Sequence, residues 1–429
     1  MRPTSQDRFR PSFEPRRVVV TGLGAVSPNG IGARKYWESL VAGRSGVKRV
    51  EGIDARALKT RIAGQIQDFN PRDALPEEDP HNIWRAIPLL AAAAREALED
   101  AGLRPKAWPT ERRRRIGAVV GTCGAGSDYR EPRTGPAPIA LAPLTGPEPN
   151  ATIGTLSSEI SMHFGMLGPS HVITSGWTSS TDAIGYAYLW IRTGEMDFVV
   201  TGGVEAPLAP AVMKGYEKSG MTTEEWNDAP EAASRPFDRA RSGFVLAEGA
   251  WALVLEDRDR AMHRGARIWG EVGGYASNCD SLGGESESAG AMASARAMIE
   301  ALHKAGLRLD QVDYVQLHGA STRREDRAET EAVKHCFGGR APEIPVSSVK
   351  STIGHPQGAC GAAGAVAALM AMAHGLIPPT INLDALDPEC ELNHVVGEAI
   401  KKEVRVAICN TLGLRSKNAA LVFCRSKAA

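Results

Sequence analysis

The feature that most constrains this chain is a repeat. Glu96-Ala-Leu-Glu-Asp-Ala-Gly-Leu-Arg-Pro105 returns as Glu300-Ala-Leu-His-Lys-Ala-Gly-Leu-Arg-Leu309, and each copy closes an alanine-rich helical pattern at a glycine. After each copy comes an apolar strand, Ile116 to Gly121 and Val312 to Leu317. Each strand runs into a glycine-containing loop, Thr122-Cys-Gly-Ala-Gly126 and His318-Gly-Ala-Ser-Thr322. The order continues to match downstream. Val172 to Ser175 leads through a turn at Trp177 into a helix from about Thr178 to Arg192, and Pro345 to Ser348 leads through a Gly-rich loop into a helix from about Ala359 to His374. The offset between copies shortens by about twenty residues along the way, which places an insertion in the first half. Residues 127–150, with six prolines and little periodicity, supply it as a long ordered loop. Strands alternating with amphipathic helices in both halves predict an α/β architecture with largely buried sheets.

Charge and cysteine usage narrow the class. Lys plus Arg and Asp plus Glu each total 50, so no net basic field favours nucleic acid. The seven cysteines are scattered, with no CxxC pair and no metal-ligand spacing, which predicts a reducing, cytoplasmic setting and no metal. Residues 1–16 are Arg- and Pro-rich with no apolar core and read as a disordered tail rather than a targeting peptide. The longest apolar stretch, Ala359 to Ile377, is interrupted by His374 and glycines and reads as a buried helix, so no membrane span is predicted. Val18-Val-Val-Thr-Gly22-Leu-Gly24-Ala-Val-Ser27 lacks the third glycine of a dinucleotide fingerprint and a suitable acidic residue after a second strand. A Rossmann reading is therefore rejected.

Several separated motifs occur in one order: Val19-Val-Thr-Gly-Leu-Gly-Ala-Val-Ser-Pro28, Gly168-Pro-Ser170, Val200-Thr-Gly-Gly-Val-Glu205, Pro236-Phe-Asp238, Gly243-Phe-Val-Leu-Ala-Glu-Gly249, His318-Gly-Ala-Ser-Thr322, Val346-Ser-Ser-Val-Lys350 and Gly354-His-Pro-Gln-Gly-Ala359. With these, residues 17 to 423 resemble the β-ketoacyl-acyl carrier protein synthases, the elongating ketosynthases of type II fatty acid and polyketide systems. The resemblance implies a thiolase fold, two duplicated halves in α-β-α-β-α layers, with halves at 17–262 and 263–429. It also implies a cysteine nucleophile at the start of a buried helix, two histidines that bind the malonyl thioester carbonyl during decarboxylation, a lysine and a supporting glutamate. His318, His355, Lys350 and Glu329 occupy the last four positions.

The nucleophile position is held by Trp177. An indole has no basic nitrogen and cannot attack a thioester; it can donate one hydrogen bond and fill space. The family's Gly-Phe-Gly-Gly gate reads Gly413-Leu414-Arg415-Ser416, and residues with a Cβ resist the left-handed backbone that glycine allows. Asn278 stands where the family has an aspartate. Ser175 lacks an evident base, Thr178 and Ser179 read as helix N-cap hydroxyls, and Cys123 reads as a small buried thiol. The resemblance therefore implies a condensation-incompetent subunit like a chain length factor, paired with an active ketosynthase as a heterodimer or with itself. Its substrates would ride on the phosphopantetheine arm of an acyl carrier protein, and it would need no cofactor of its own. Alternatives are a malonyl-carrier decarboxylase that uses His318 and His355, and a non-catalytic binding module. The run Arg112 to Arg115 does not discriminate among these, because such runs are usually solvated.

Overall fold

The computed structural model describes residues 14–76, 83–124, 152–280, 287–413 and 417–426, with the backbone alone for 287–289. The first half contains β1 (Val18–Ser27), α1 (Ala86–Asp100), β2 (Ile116–Gly121), α2 (Thr155–Phe164), β3 (Ser170–Ile173), α3 (Ser179–Arg192), β4 (Phe198–Glu205), α4 (Pro210–Lys218) and β5 (Gly249–Asp257). The second contains β6 (Gly270–Cys279), α5 (Glu287–Lys304), β7 (Tyr314–Gln316), α6 (Arg323–Phe337), β8 (Pro345–Ser347), α7 (Cys360–His374), β9 (Val406–Gly413) and β10 (Lys417–Cys424).

The two halves share one topology. The strand order β3-β2-β4-β5-β1 is matched by β8-β7-β9-β10-β6. In each half the first two pairings of that order are parallel and the last two antiparallel. Each first-to-fifth strand pair also carries one register shift, at Val20/Gly22 and at Val422/Phe423. The halves join where Val19 and Val20 meet Glu271 and Gly270.

Alternate residues of each strand serve different cores, as the period-two geometry of a sheet buried on both faces requires. Ile116, Ala118 and Val120 pack outward with α1 and α2, while Val119 packs inward. Ala419, Leu421 and Phe423 face the same inner core, and Ala420 and Val422 pack with α5 and α6. The inner core holds α3 and α7, so the layers run helix, sheet, helices, sheet, helix. This is the duplicated thiolase arrangement expected from the resemblance. In α7 every residue from Cys360 to Met372 is buried, and only a helix enclosed on all sides can be apolar all round.

The repeated Glu-Ala-Leu segment has a packing reason. A Cβ added at Gly22 of β1 would lie 1.9 Å from the carbonyl oxygen of Ala97 in α1, and one added at Gly274 of β6 would lie 2.1 Å from that of Ala301 in α5. Helix backbone rests on strand backbone in both halves. The glycine pair that imitates a dinucleotide motif is thus a helix-sheet contact, reinforced where the Glu96 carboxylate accepts from the amides of Ala25 at 2.9 Å and Ala33 at 2.8 Å.

Arg16, assigned to the tail from sequence, belongs to the folded part: its amide donates to the Arg192 carbonyl at 3.0 Å and its guanidinium pairs with Asp197 at 2.9 Å. Residues 1–13, the 127–150 insertion, and Leu414, Arg415 and Ser416 lie outside the described residues. Among those described, no helix is long and apolar enough to cross a membrane. Gly274→Ala is expected to destabilise the protein by about 1–3 kcal/mol, because the backbone oxygen of Ala301 cannot yield without moving α5; a urea midpoint equal to wild type would contradict this contact.

Candidate active site

The strand β3 reaches α3 through a 3-10 turn, Gly176–Thr178, with Gly176 in the left-handed region at φ +75°. Opposite it, a second 3-10 turn, Gln357–Ala359, leads into α7. The duplication thus sets the N-termini of two central helices face to face, and Trp177 lies between them, fully buried.

Three rings surround the indole. His318 stacks on it at a centroid distance of 5.9 Å and an interplanar angle of 17°, His355 tilts at 4.6 Å, and Phe244 meets it edge-on at 5.8 Å. Leu58, Met213, Leu246 and Cys360 complete an apolar cluster. The indole N–H donates to Gln357 Oε1 at 2.6 Å, and the same oxygen accepts from the Tyr216 hydroxyl at 3.0 Å.

The histidines have assignable tautomers. Lys350 Nζ lies 3.3 Å from His318 Nδ1 and also donates to the His318 carbonyl; having no acceptor, it makes Nδ1 the lone-pair nitrogen and puts the ring proton on Nε2. The Gln357 amide donates to His355 Nδ1 at 3.0 Å, with the same result. Burial first, then Lys350 and His355, holds the His318 pKa well below the ordinary value of 6.5. Burial and then Lys350 do the same for His355. Both rings are therefore neutral donors near pH 7, yet among the described residues neither Nε2 has a partner although both rings are buried. Two buried N–H groups without acceptors form a place for an oxygen.

Glu329 supports this arrangement from α6. Its carboxylate accepts from the amides of His318 and Gly319 at 2.7 Å each and from Asn410 Nδ2 at 2.8 Å, and burial raises its pKa to about 7. Lys350 and Glu329 thus fix the His318 loop from opposite sides. Asn278 is not brought to the histidines: it ends β6, donates to the Ala293 carbonyl at 2.9 Å and accepts from Asn418 at 3.3 Å.

Among the described residues, no hydroxyl or thiol around Trp177 has a free base beside it. Ser175 donates to Asp182, which also accepts from Thr178 at 2.9 Å and Tyr275 at 2.8 Å, so its hydroxyl faces a structural carboxylate and no histidine. Thr178 and Ser179 do not cap α3, contrary to the sequence expectation. Thr178 bonds back to the Ser175 carbonyl, and the Ser179 hydroxyl accepts from the Ser175 amide, because the 3-10 turn displaces the helix start from the positions a cap requires. Cys360 was not singled out from sequence. Its Sγ donates to the Trp177 carbonyl at 3.3 Å and lies 3.9 Å from His318 Nδ1, but Lys350 already engages that nitrogen and burial pushes the thiol up. Cys123 is half-buried with its pKa pushed up to about 12, burial leading the causes.

In the Arg112 to Arg115 run, Arg112 and Arg114 are exposed and Arg113 and Arg115 half-buried. Arg112 covers the Trp108 ring at 3.9 Å, Arg113 donates to the Gly165 carbonyl, Arg114 pairs with Glu111 and Arg115 with Asp197. Among the described residues, no group of His, Cys, Asp and Glu is placed to hold a metal ion.

The sequence matches the β-ketoacyl synthase N-terminal domain over residues 15–261 and the C-terminal domain over residues 269–384. The chain belongs to the β-ketoacyl synthase family. This ketosynthase homologue is 38% identical to a putative polyketide beta-ketoacyl synthase 1 of Streptomyces halstedii, covering 95% of this chain and 98% of that one. It is 37% identical to the tetracenomycin polyketide synthase ketoacyl synthase alpha subunit of Streptomyces glaucescens, covering 96% and 98%. Among solved structures it superimposes on the ishigamide ketosynthase/chain length factor with a TM-score of 0.84 at 31% identity. It does so with the same score, at 29% identity, on a type II polyketide synthase ketosynthase solved with its acyl-carrier protein. Both comparisons cover 96% of this chain and 100% of the other. The chain is accordingly a ketosynthase-like subunit of the type II polyketide synthase kind.

An acid-stability test follows from the neutral histidines. Below pH 6.5 the unfolded chain takes up protons at 318 and 355 that the fold refuses, so stability drops by up to about 1.4 kcal/mol per pH unit for each ring. Glu205 and Glu329, both raised to about 7, act in the opposite sense, losing stability as pH rises from the ordinary carboxylate range toward 7, and they are common to both proteins compared. His355→Gln is expected to flatten the acid limb between pH 6.5 and 5 in urea melts; parallel limbs would show that His355 is protonated in the folded protein.

Proposed function

We propose that this ketosynthase homologue cannot condense by itself and works as a chain length factor beside an active ketosynthase of a cytoplasmic type II polyketide or fatty acid system. The observation that carries the reading is the fully buried Trp177 indole, standing where a nucleophile would face His318 and His355. A buried aromatic of this size, on the order of 200 Å², leaves the acyl group no thiol and no room at that point.

The need for a partner is supported at the edge of the first sheet. Strand β3 has one neighbour, β2, among the described residues, and carries no acidic residue, lysine, arginine or proline. Met162 and Leu167 precede it and Tyr186 and Leu189 of α3 follow it, all exposed. An unblocked strand edge beside exposed apolar side chains is a template for another strand. A ketosynthase of the same fold offers one. Acyl groups would arrive on the phosphopantetheine arm of an acyl carrier protein, and the reading calls on no further cofactor.

Co-expression with a cysteine-bearing ketosynthase and a carrier protein is expected to yield a co-purifying heterodimer, with no condensation by this chain alone. Acylation of the purified wild-type chain at its own site, followed by condensation, would overturn the reading. Trp177→Cys is expected to gain a thioester detectable by intact mass on incubation with acyl-carrier protein.

A second reading rests on the two unpartnered Nε2–H groups. Donors aimed at a thioester carbonyl support decarboxylation of malonyl-carrier protein without an acyl-enzyme, since the developing enolate oxygen needs only hydrogen bonds. His318→Ala is expected to slow carbon dioxide release about a hundredfold. Equal rates in wild type and variant would remove this activity.

A further inference from the structure

We propose that Gln357 is the positioning residue that holds the Trp177 indole across the histidine pair, so that closure of this site is a hydrogen-bonded state set from the second half of the chain. The proposal rests on the reading of Trp177 as the group that closes the site.

Two facts separate this from chance packing. Among the described residues, the buried Nε1 atoms of half-buried Trp226 and of buried Trp251 have no partner, whereas that of Trp177 meets a side-chain oxygen 180 residues away in sequence. That oxygen is shared with the Tyr216 hydroxyl, so two elements of the first half converge on one acceptor from the second. An amide oxygen has two lone pairs, and here both are used.

Gln357 is also held in a conformation its residue type disfavours. Its φ is +42°, which a residue with a Cβ adopts only when its surroundings over-determine it. The surroundings do so. Its amide donates to His355 Nδ1 at 3.0 Å, its side-chain Nε2 donates to the His355 carbonyl at 3.3 Å, and the next amide, of Gly358, donates to the buried Glu205 carboxylate at 3.1 Å. Glu205 also accepts from the Cys123 amide, tying this turn to the loop after β2. The turn that fixes the His355 tautomer therefore also aims the acceptor that fixes Trp177. On the other side, no described atom lies within 4 Å of where a Cβ on Gly176 would sit.

The test uses the full chain with 15N-labelled tryptophan. Of eight indole N–H signals, that of Trp177 is assigned by its loss in Trp177→Phe. In wild type it is expected to exchange slowly with deuterium, and exchange as fast as an exposed indole overturns the proposal. Gln357→Met, similar in shape but without the acceptor, is expected to speed exchange at least about tenfold and shift the signal, while Gln357→Glu, which keeps an acceptor oxygen, restores protection. Retained protection in a folded Gln357→Met also overturns the proposal. If that variant does not fold, the wild-type signal is compared with that of Trp251, buried but without an acceptor, and equal exchange rates overturn the proposal. A protected Trp177 in a protein that never assembles with an active ketosynthase would sink the functional reading and leave the role of Gln357 standing; an unprotected one in a working heterodimer would do the reverse.

Discussion

The packing of α3 against α7 between the two sheets is the contact on which the rest of the structure depends. Most of α3 and nearly all of α7 are buried, and α7 is built mainly of alanine and glycine, so the helices approach closely. Three bonds satisfy polar groups in this layer: the Ala362 amide donates to the Ser180 hydroxyl at 2.9 Å, Thr181 and Thr411 share a bond at 2.8 Å, and the Tyr36 hydroxyl reaches the Ala363 carbonyl at 3.1 Å. Because the two halves are copies, this contact also aligns the two turns preceding the helices. The functional site is the place where those turns meet.

The electrostatics of the site follow from that burial. A histidine in water samples both tautomers and takes up a proton near pH 6.5, whereas here Lys350 and the Gln357 amide each claim one Nδ1 and desolvation keeps the rings neutral. What remains, among the described residues, is a pair of Nε2–H donors beside the Trp177 indole, which has a hydrogen to donate and no lone pair to attack with. Trp177 is integrated through Gln357, Tyr216 and Phe244 rather than dropped into a vacant space.

Much of the architecture was legible because it repeats. A helix resting backbone-to-backbone on a glycine strand demands small residues at fixed spacing, and the copied Glu-Ala-Leu segments record that demand twice. The site histidines were legible for a different reason, since His318 and His355 sit in motifs with distinctive neighbours. Gln357 stood in the quoted Gly354 to Ala359 motif but passed unremarked, because nothing local announces that its oxygen reaches a residue 180 positions earlier. The roles of Thr178 and Ser179 were misread because an N-cap is a matter of one dihedral, and a 3-10 turn changes it without changing the residues. In the Arg112 to Arg115 run, Arg112 and Arg114 are exposed as the sequence suggested, whereas Arg113 and Arg115 are half-buried on partners, Gly165 and Asp197, that are distant in sequence.

By itself the sequence determined the duplication, the alternation of buried strands and helices, the pair of histidines and the absence of a thiol at position 177. These are properties of residue type and spacing, which periodicity and local sterics set. Only the tertiary structure decided which nitrogen of each histidine bears the proton, that Cys360 packs behind His318 without a free base, that Asn278 lies away from the histidines, and that Trp177 is held by a side chain from the other half. Those depend on distances between segments far apart in the chain, and a hydrogen bond a few tenths of an ångström long or short is a different interaction.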